Sequence, residues 1–290
     1  MRRGAVTTKN FATAFLLVCS ILFSSCSSVF YQPDHVLYYL PKKLGHPEQE
    51  IAFQASDGTE LYAWYFQTKE AVPKGTLVQF HGNAENMSSH YLSLLWAVQY
   101  GYNFFTFDYR GYGKSKGTPS QKGTYLDGLA ALDQAFRIHT ETQKRNPKAR
   151  FVVVGQSLGG IISARVLEDF PKKEFVDLFV FDSSFLSYKT EARRQLAKYW
   201  LTWIISPLGC LLVSDSFGAK DRWAENKIPL LIMHDRKDPA IPFVDGQEAF
   251  ELATSRKEFW ELDQGRHIGA FALDSGENRR KFLTILDRLK

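Results

Sequence analysis

Phe151-Val-Val-Val-Gly-Gln-Ser-Leu-Gly-Gly160 decides how this chain is read, because an apolar run breaks at Gly155-Gln-Ser-Leu-Gly159 and resumes as Ile161-Ile-Ser-Ala-Arg-Val-Leu167. The pattern predicts a strand, a sharp turn and a helix. Ser157 stands between two glycines, and a residue held in a crowded, strained turn needs neighbours without a Cβ. Such a turn is a nucleophile elbow. It lifts the serine hydroxyl above the carboxyl end of a strand and sets it at a helix N-terminus, where free amides and the helix dipole favour developing negative charge. Glycine and serine are common residues, so the pentapeptide alone is a weak signal and its context carries the reading.

Outward from the elbow, short apolar strands alternate with helices. Ile51–Ser56 and Glu60–Phe66 are alternating runs joined by Asp57-Gly58, which predicts an antiparallel hairpin. Apolar strands follow at 76–80, 103–107, 151–154, 177–181, 229–233 and 259–262. Strands without a polar face, separated by helices, predict a mostly parallel sheet covered on both sides. Between them, Met87–Gln99 has helical apolar spacing and stops before Gly101. Thr124–Thr140 opens on Thr124-Tyr-Leu-Asp127, an acid-bearing relative of a capping box. Residues 183–227 depart from the alternation with the apolar stretch Tyr199–Val213, which reads as a small cap over the carboxyl end of the sheet; ordinary buried helices are the other reading. The expected architecture is therefore one α/β domain over residues 51–290, with a central, mostly parallel sheet, an N-terminal antiparallel hairpin, helices on both faces and a cap insertion at about 183–227.

The first fifty residues lie outside that domain. Arg2, Arg3 and Lys9 precede the apolar run Phe11–Phe23, which is short for a membrane span and ends in small residues, as a secretory signal does. Ser24-Ser25-Cys26 then resembles a bacterial lipobox, with Phe23 where an aliphatic residue is usual. Residues 1–25 are read as a lipoprotein-type signal peptide, Cys26 as the lipidation site, and 26–50 as a proline-punctuated, aromatic tether that docks on the domain. An uncleaved signal anchor, or cleavage nearby with Cys26 a bystander, are the alternatives, and all three place the domain outside the cytoplasm. Removing residues 1–25 takes away three basic and no acidic residues, so the formal charge falls from +5 to +2, which gives nucleic-acid binding no support. The other cysteines are Cys19, in the signal, and Cys210, and no Cys or His group has metal-ligand spacing. The chemistry is expected from side chains alone, with no cofactor and no metal.

Ligand sites in open α/β sheets lie just past the carboxyl ends of strands. There the chain carries three polar clusters. His81-Gly-Asn-Ala-Glu-Asn86 is a glycine-containing turn whose amides can face the elbow, so the backbone N–H groups of Asn83 and Leu158 form the expected oxyanion hole, with the His81 side chain packed beneath. His234-Asp-Arg-Lys-Asp-Pro-Ala-Ile-Pro242 holds two acids, of which Asp238, beside a proline, is the expected partner of the base. Asp263-Gln-Gly-Arg-His267 brings His267 over Ser157 as that base. Ser157, Asp238 and His267 thus follow the chain order nucleophile, acid, histidine. Asp182 is the competing acid, since it too follows a strand. His35 and His46 lie in the tether, while His90 and His139 fall within helices. Asp108 and Arg110 are read as an ion pair beneath the site.

With these residues in view, His81-Gly-Asn-Ala-Glu-Asn86, Phe107-Asp-Tyr-Arg-Gly-Tyr-Gly113 with Ser115 and Gly117, Gly155-Gln-Ser-Leu-Gly-Gly160 and Gly265-Arg-His267 resemble the α/β-hydrolase superfamily. Within it they are most similar to the BEM46-like branch of serine hydrolases, and Phe30-Tyr-Gln-Pro33 and Asp57-Gly-Thr-Glu-Leu61 resemble that branch's entry into the domain. Two departures stand out: the branch often has glycine where Glu85 stands and usually has glycine where Asp235 stands. The resemblance implies a serine hydrolase with this triad, acting on esters, thioesters or related acyl bonds of a small-molecule or lipid substrate. A prolyl-type serine peptidase and a non-catalytic envelope protein that retains the fold are the rivals. Ser27 after Cys26 resembles outer-membrane sorting, facing the periplasm.

Overall fold

A computed structural model describes residues 30–197, 213–271 and 276–289. The signal segment, Cys26 and residues 198–212 of the expected cap lie outside the described residues. Eight strands form one sheet: β1 (Gln49–Gln54), β2 (Glu60–Phe66), β3 (Gly75–Phe80), β4 (Tyr102–Phe107), β5 (Arg150–Gln156), β6 (Leu178–Asp182), β7 (Leu230–Asp235) and β8 (Lys257–Leu262). Their order is β1-β2-β4-β3-β5-β6-β7-β8. β1 pairs antiparallel with β2, and β2 with β4, while every pairing from β4 to β8 is parallel. The mostly parallel sheet and the opening hairpin stand as read, although β1 starts at Gln49 rather than Ile51 because Gln49 and Glu50 continue the ladder opposite Tyr65 and Trp64.

The central strands β3–β7 are apolar on both faces because both are covered, whereas the edge strands β1 and β8 carry exposed polar residues. Val153 of β5 enters one buried cluster with Val78, Phe105 and Phe179, while its neighbours Val152 and Val154 enter another with Leu77, Phe104 and Leu231. Alternation with period two thus divides each strand between two cores. Helices α1 (Gln121–Arg145) and α2 (Leu158–Asp169) supply Leu132 and Ile161 to the first core, and α5 (Glu277–Arg288) supplies Phe282 and Leu286 to the second. Two further helices, α3 (Tyr188–Ala197) and α4 (Phe243–Leu252), supply Ala192 and Ala249 to the first core. Among the described residues no helix is long and apolar enough to cross a membrane.

Three local expectations change. α1 begins one turn before Thr124, because the Ser120 hydroxyl accepts from the Gly123 amide and caps the helix there. The expected helix Met87–Gln99 is a single α-turn, Met87–His90, continued by 3-10 turns at Tyr91–Ser93 and Leu95–Tyr100. The His90 carbonyl there accepts from the Gln79 side-chain amide at 3.0 Å and from the Ser93 hydroxyl at 2.9 Å, which draws it out of an α-helical ladder. The third change concerns Arg110. It pairs with Asp127 and Asp57 rather than Asp108, reaching each at 2.8 Å. Asp108 instead accepts from the Met87 amide at 2.7 Å and lies 3.4 Å from His81 Nε2.

The described residues ahead of β1 begin at Phe30. Phe30 and Tyr31 are buried in the first core, Phe30 packs edge-on to Tyr188, and Gln32–Pro33 pairs in parallel with Ala84–Glu85 beside the sheet.

Candidate active site

The elbow is tight for steric reasons that name its glycines. A Cβ on Gly159 would stand 2.0 Å from the Phe80 carbonyl oxygen, and one on Gly155 would stand 2.1 Å from Ser163 Oγ. Both glycines let α2 lie against the ends of β3 and β5. Ser157 itself has φ 53° and ψ −122°, a conformation that an L-residue adopts only under constraint. The constraint is visible: the Ser157 amide donates to the Asp182 carbonyl at 2.9 Å, and its own carbonyl accepts from Gly160 N at 2.9 Å and Ser184 Oγ at 2.6 Å. Strain concentrates here. The non-glycine residues with positive φ among those described are Glu85, Ser157, Ser183 and Ile268. Ser157 and Ile268 line one cleft, Glu85 follows its rim residue Ala84, and the Ser183 hydroxyl accepts from Ile268 N at 3.3 Å. Glu85, at φ 63°, occupies a conformation that glycine adopts freely, which accounts for glycine being common there in the resembling branch.

His267 lines the same cleft as Ser157, and its Nδ1 donates to Asp238 Oδ2 at 2.7 Å. Asp238 has no exposed side-chain surface, while His267 is half-buried. Asp238 Oδ1 also accepts from the amides of Ala240 and Ile241 at 2.8 and 3.0 Å, so the carboxylate is aimed by its own loop. Burial raises its pKa, but the hydrogen bond and charge of His267 and the two amides outweigh that, leaving it below the ordinary carboxylate value. A carboxylate at Nδ1 holds the proton there and turns Nε2 outward as the basic nitrogen.

Asp182 sits one strand away with different company. Gln156 Nε2 donates to its Oδ2 at 3.0 Å and Ser183 Oγ to its Oδ1 at 3.1 Å. Burial raises its pKa. Gln156 Oε1 in turn accepts from Gln79 at 2.7 Å, so Asp182 anchors a buried polar chain beneath the elbow. Of the two acids weighed in the sequence, Asp238 is the one hydrogen-bonded to His267.

Asn83 lines the cleft too, with its side-chain carbonyl occupied by Tyr112 OH at 3.0 Å and by Gln32 N at 2.8 Å. Leu158 is the first residue of α2, where an N–H has no partner inside the helix. His81 is fully buried, packed against Tyr109 and His90, as expected of a residue beneath the turn. His90 faces the cleft, and burial together with the nearby His81 pushes its pKa down to about 4, so it is neutral at physiological pH. The cleft measures about 530 Å³ and is walled by apolar side chains that include Phe30, Leu158, Phe185, Ile241 and Ile268. Glu191 and Gln195 of α3 add to that wall. A smaller cavity of about 340 Å³ lies between α2 and residues 222–229, near the amino ends of β6 and β7.

One positioning residue escaped sequence reasoning. Asp235 ends β7 and accepts from Lys237 N at 2.8 Å, Gln264 N at 2.6 Å and Gly265 N at 3.2 Å. It ties the loop carrying Asp238 to the loop carrying His267. Burial raises its pKa, and these amides together with that of Arg266 overcome the effect and lower it. The available signal was the pair of acids in one short loop, where only one faces the histidine.

Fold and cleft together define an α/β hydrolase. A family model described as serine aminopeptidase, S33 matches residues 71–217. The protein YfhR of Salmonella typhimurium is 32% identical over 275 residues, covering 90% of this chain and 88% of its own. The chain belongs to that family of α/β hydrolases. The lysophosphatidylserine lipase ABHD12 of Macaca fascicularis is 28% identical over 68% of this chain and 49% of its own length. Among solved structures, the esterase Pf2001 of Pyrococcus furiosus superposes with a TM-score of 0.68 over 90% of this chain and 98% of its own, at 23% identity. At that identity the likeness speaks for the fold.

Proposed function

We propose that this α/β hydrolase cleaves carboxylic ester or thioester bonds through an acyl-enzyme, with Ser157 as nucleophile, His267 as base, Asp238 as its orienting acid and the amides of Asn83 and Leu158 as oxyanion hole. The observation that carries the reading is the 2.7 Å contact of His267 Nδ1 with Asp238, in the cleft that also holds the strained Ser157. In the first half-reaction His267 Nε2 takes the Ser157 proton as Oγ attacks the acyl carbon, and the resulting oxyanion accepts from the two amides. The imidazolium then returns that proton to the leaving alkoxide or thiolate as the carbon–oxygen or carbon–sulfur bond breaks. Water, activated by the same His267, releases the acid and restores Ser157. The apolar wall favours an acyl chain or aromatic group, in keeping with the lipase and esterase names of its relatives. BEM46-like membership, a lipid anchor at Cys26 and a place in the bacterial envelope, facing the periplasm from the outer membrane, complete the proposal.

A peptidase reading is favoured by the family's description as serine aminopeptidase. Aminoacyl nitroanilides offered alongside nitrophenyl esters separate the two. The experiment for the shared mechanism is labelling of the folded protein with a fluorophosphonate probe, located by mass spectrometry. A modification on Ser157, absent from Ser157→Ala, is expected. A folded protein that takes no label supports the non-catalytic reading.

A further inference from the structure

Large apolar side chains stand exposed at few places on the described surface, and five of them fall in one short segment. Val36, Leu37, Tyr38, Tyr39 and Leu44 are 57%, 41%, 38%, 51% and 47% exposed. The backbone that carries them is pinned. Tyr38 N donates to Ser88 Oγ at 2.9 Å, Tyr39 N to the Ser88 carbonyl at 3.3 Å, and the Asn86 amide to the Val36 carbonyl at 2.7 Å. Fixed main chain with outward apolar side chains is unlike a loose terminal arm. Leu92, exposed as well, follows on the turn that holds Ser88. The segment begins four residues after Gln32, which lines the cleft and pairs with Ala84 at its rim, so the apolar face borders the mouth of the active site.

Charge completes the pattern. Lys42 and Lys43 lie between the aromatic pair and Leu44, both exposed, on the 3-10 turn Pro41–Leu44. Of the acids nearby, Asp34 accepts from Tyr38 OH and Asn86, and Glu48 forms a long ion pair with Lys42 at 3.8 Å, the lysine side chain staying 73% exposed. Aromatic and aliphatic side chains flanked by lysines suit the headgroup layer of a bilayer, where rings sit at the interface and ammonium groups meet anionic phosphates. Upstream, the apolar run Phe11–Phe23 and Cys26 lie close along the chain, and the ten residues from Cys26 to Val36 span at most about 36 Å when extended. A twofold contact with a second copy fits less well, since it would bring each lysine pair near its mate.

We propose that Val36–Leu44 is an interfacial face that seats the cleft mouth on an anionic phospholipid bilayer, so that acyl substrate enters from the membrane rather than from water. The inference rests on the reading that the N-terminus holds the chain at a membrane, and the test separates the two. Full-length protein and its Tyr39→Trp variant are reconstituted with vesicles of phosphatidylethanolamine and phosphatidylglycerol and recovered by flotation. The fluorescence difference between them isolates position 39 from the native tryptophans. The expected result is a blue-shifted signal that lipids brominated near the headgroup quench, and that the added changes Lys42→Glu and Lys43→Glu weaken. Hydrolysis of a vesicle-embedded ester should fall roughly tenfold in Leu37→Asp/Tyr39→Asp, with a short soluble ester cleaved at the wild-type rate.

Failure to float defeats the membrane-tether reading and this proposal with it. Floating protein whose position 39 stays hydrated and unquenched overturns the interfacial face alone. A shielded but unquenched signal overturns it in favour of cover by the chain's own apolar run. Shielding that appears only as protein concentration rises overturns it in favour of a second copy. Because the fluorescence readout needs no turnover, it stands even if the hydrolase reading fails.

Discussion

Asp182 and Asp238 are the same residue type, both with covered carboxylates, at the carboxyl ends of neighbouring strands, yet their surroundings give them opposite work. Asp182 closes β6 and receives a side-chain amide and a hydroxyl from groups beneath the elbow, and burial lifts its pKa. Asp238 lies three residues past β7 on a loop that points two backbone amides and His267 at it, and its pKa is lowered. What separates them is the direction of the donors rather than burial itself. A carboxylate met by a histidine and its own loop amides stays charged and can steer an imidazole, whereas one met by neutral side chains props up the turn above it.

The largest effect that would break this contrast is on turnover. Asp238→Asn should lower kcat by about 10⁴-fold, because the amide no longer holds the Nδ1 proton, while Asp182→Asn should keep kcat within about threefold. The latter is tolerable because an asparagine can keep its oxygen toward Gln156 and donate to Ser183, a hydroxyl that also accepts. Steady-state kinetics on one ester settles both; reversed magnitudes would make Asp182 the working acid.

A smaller effect sharpens the structural side. Ser183 donates to Asp182 and accepts from the Ile268 amide, beside His267. Ser183→Ala removes one of the two side-chain donors to buried Asp182 and the acceptor of the part-buried Ile268 amide, and should cost about 1–3 kcal/mol of stability. Thermal unfolding should shift downward by several degrees, at roughly 2–4 °C per kcal/mol for a chain of this size. An unchanged midpoint would mean the polar chain under the elbow contributes nothing.

The smallest effect is the pH slope of stability, and its sign differs between the two acids. Asp238 titrates lower in the folded than in the unfolded chain, whose carboxyl sits near 3.9, so its stabilisation is present above about 3.9 and lost as pH falls through the folded pKa. Asp182 titrates higher when folded, so its cost is absent in acid and grows as pH rises from about 3.9 through the folded pKa. Midpoints measured from acid to neutral pH should therefore show Asp238→Asn falling increasingly behind the wild type toward neutrality, and Asp182→Asn gaining on it. Parallel curves would contradict the assignment.

Much of this was legible in the sequence. The elbow, the hairpin and the sheet depend on local patterns: a glycine-flanked serine, an Asp-Gly turn and apolar runs of strand length. That Ser157, Asp238 and His267 lie just past β5, β7 and β8 could be read from the chain because each follows an apolar run of strand length. What escaped depends on contacts between distant residues. Arg110 finds Asp127 and Asp57, 17 and 53 residues away, in preference to the nearby Asp108. The helix after His81 gives way to 3-10 turns because Gln79, on a different element, captures the His90 carbonyl. Asp235 could not be told from Asp238 as a clamp without knowing that the amides of Gln264 and Gly265 converge on it.

The most direct measurement is hydrolysis of p-nitrophenyl esters of graded chain length by the full-length protein and its Ser157→Ala variant. The account predicts turnover that rises with acyl length as the apolar cleft fills and that falls by about 10⁴-fold or more in Ser157→Ala. Equal rates for the two proteins, or no turnover by a folded wild type on any ester or thioester, would contradict it.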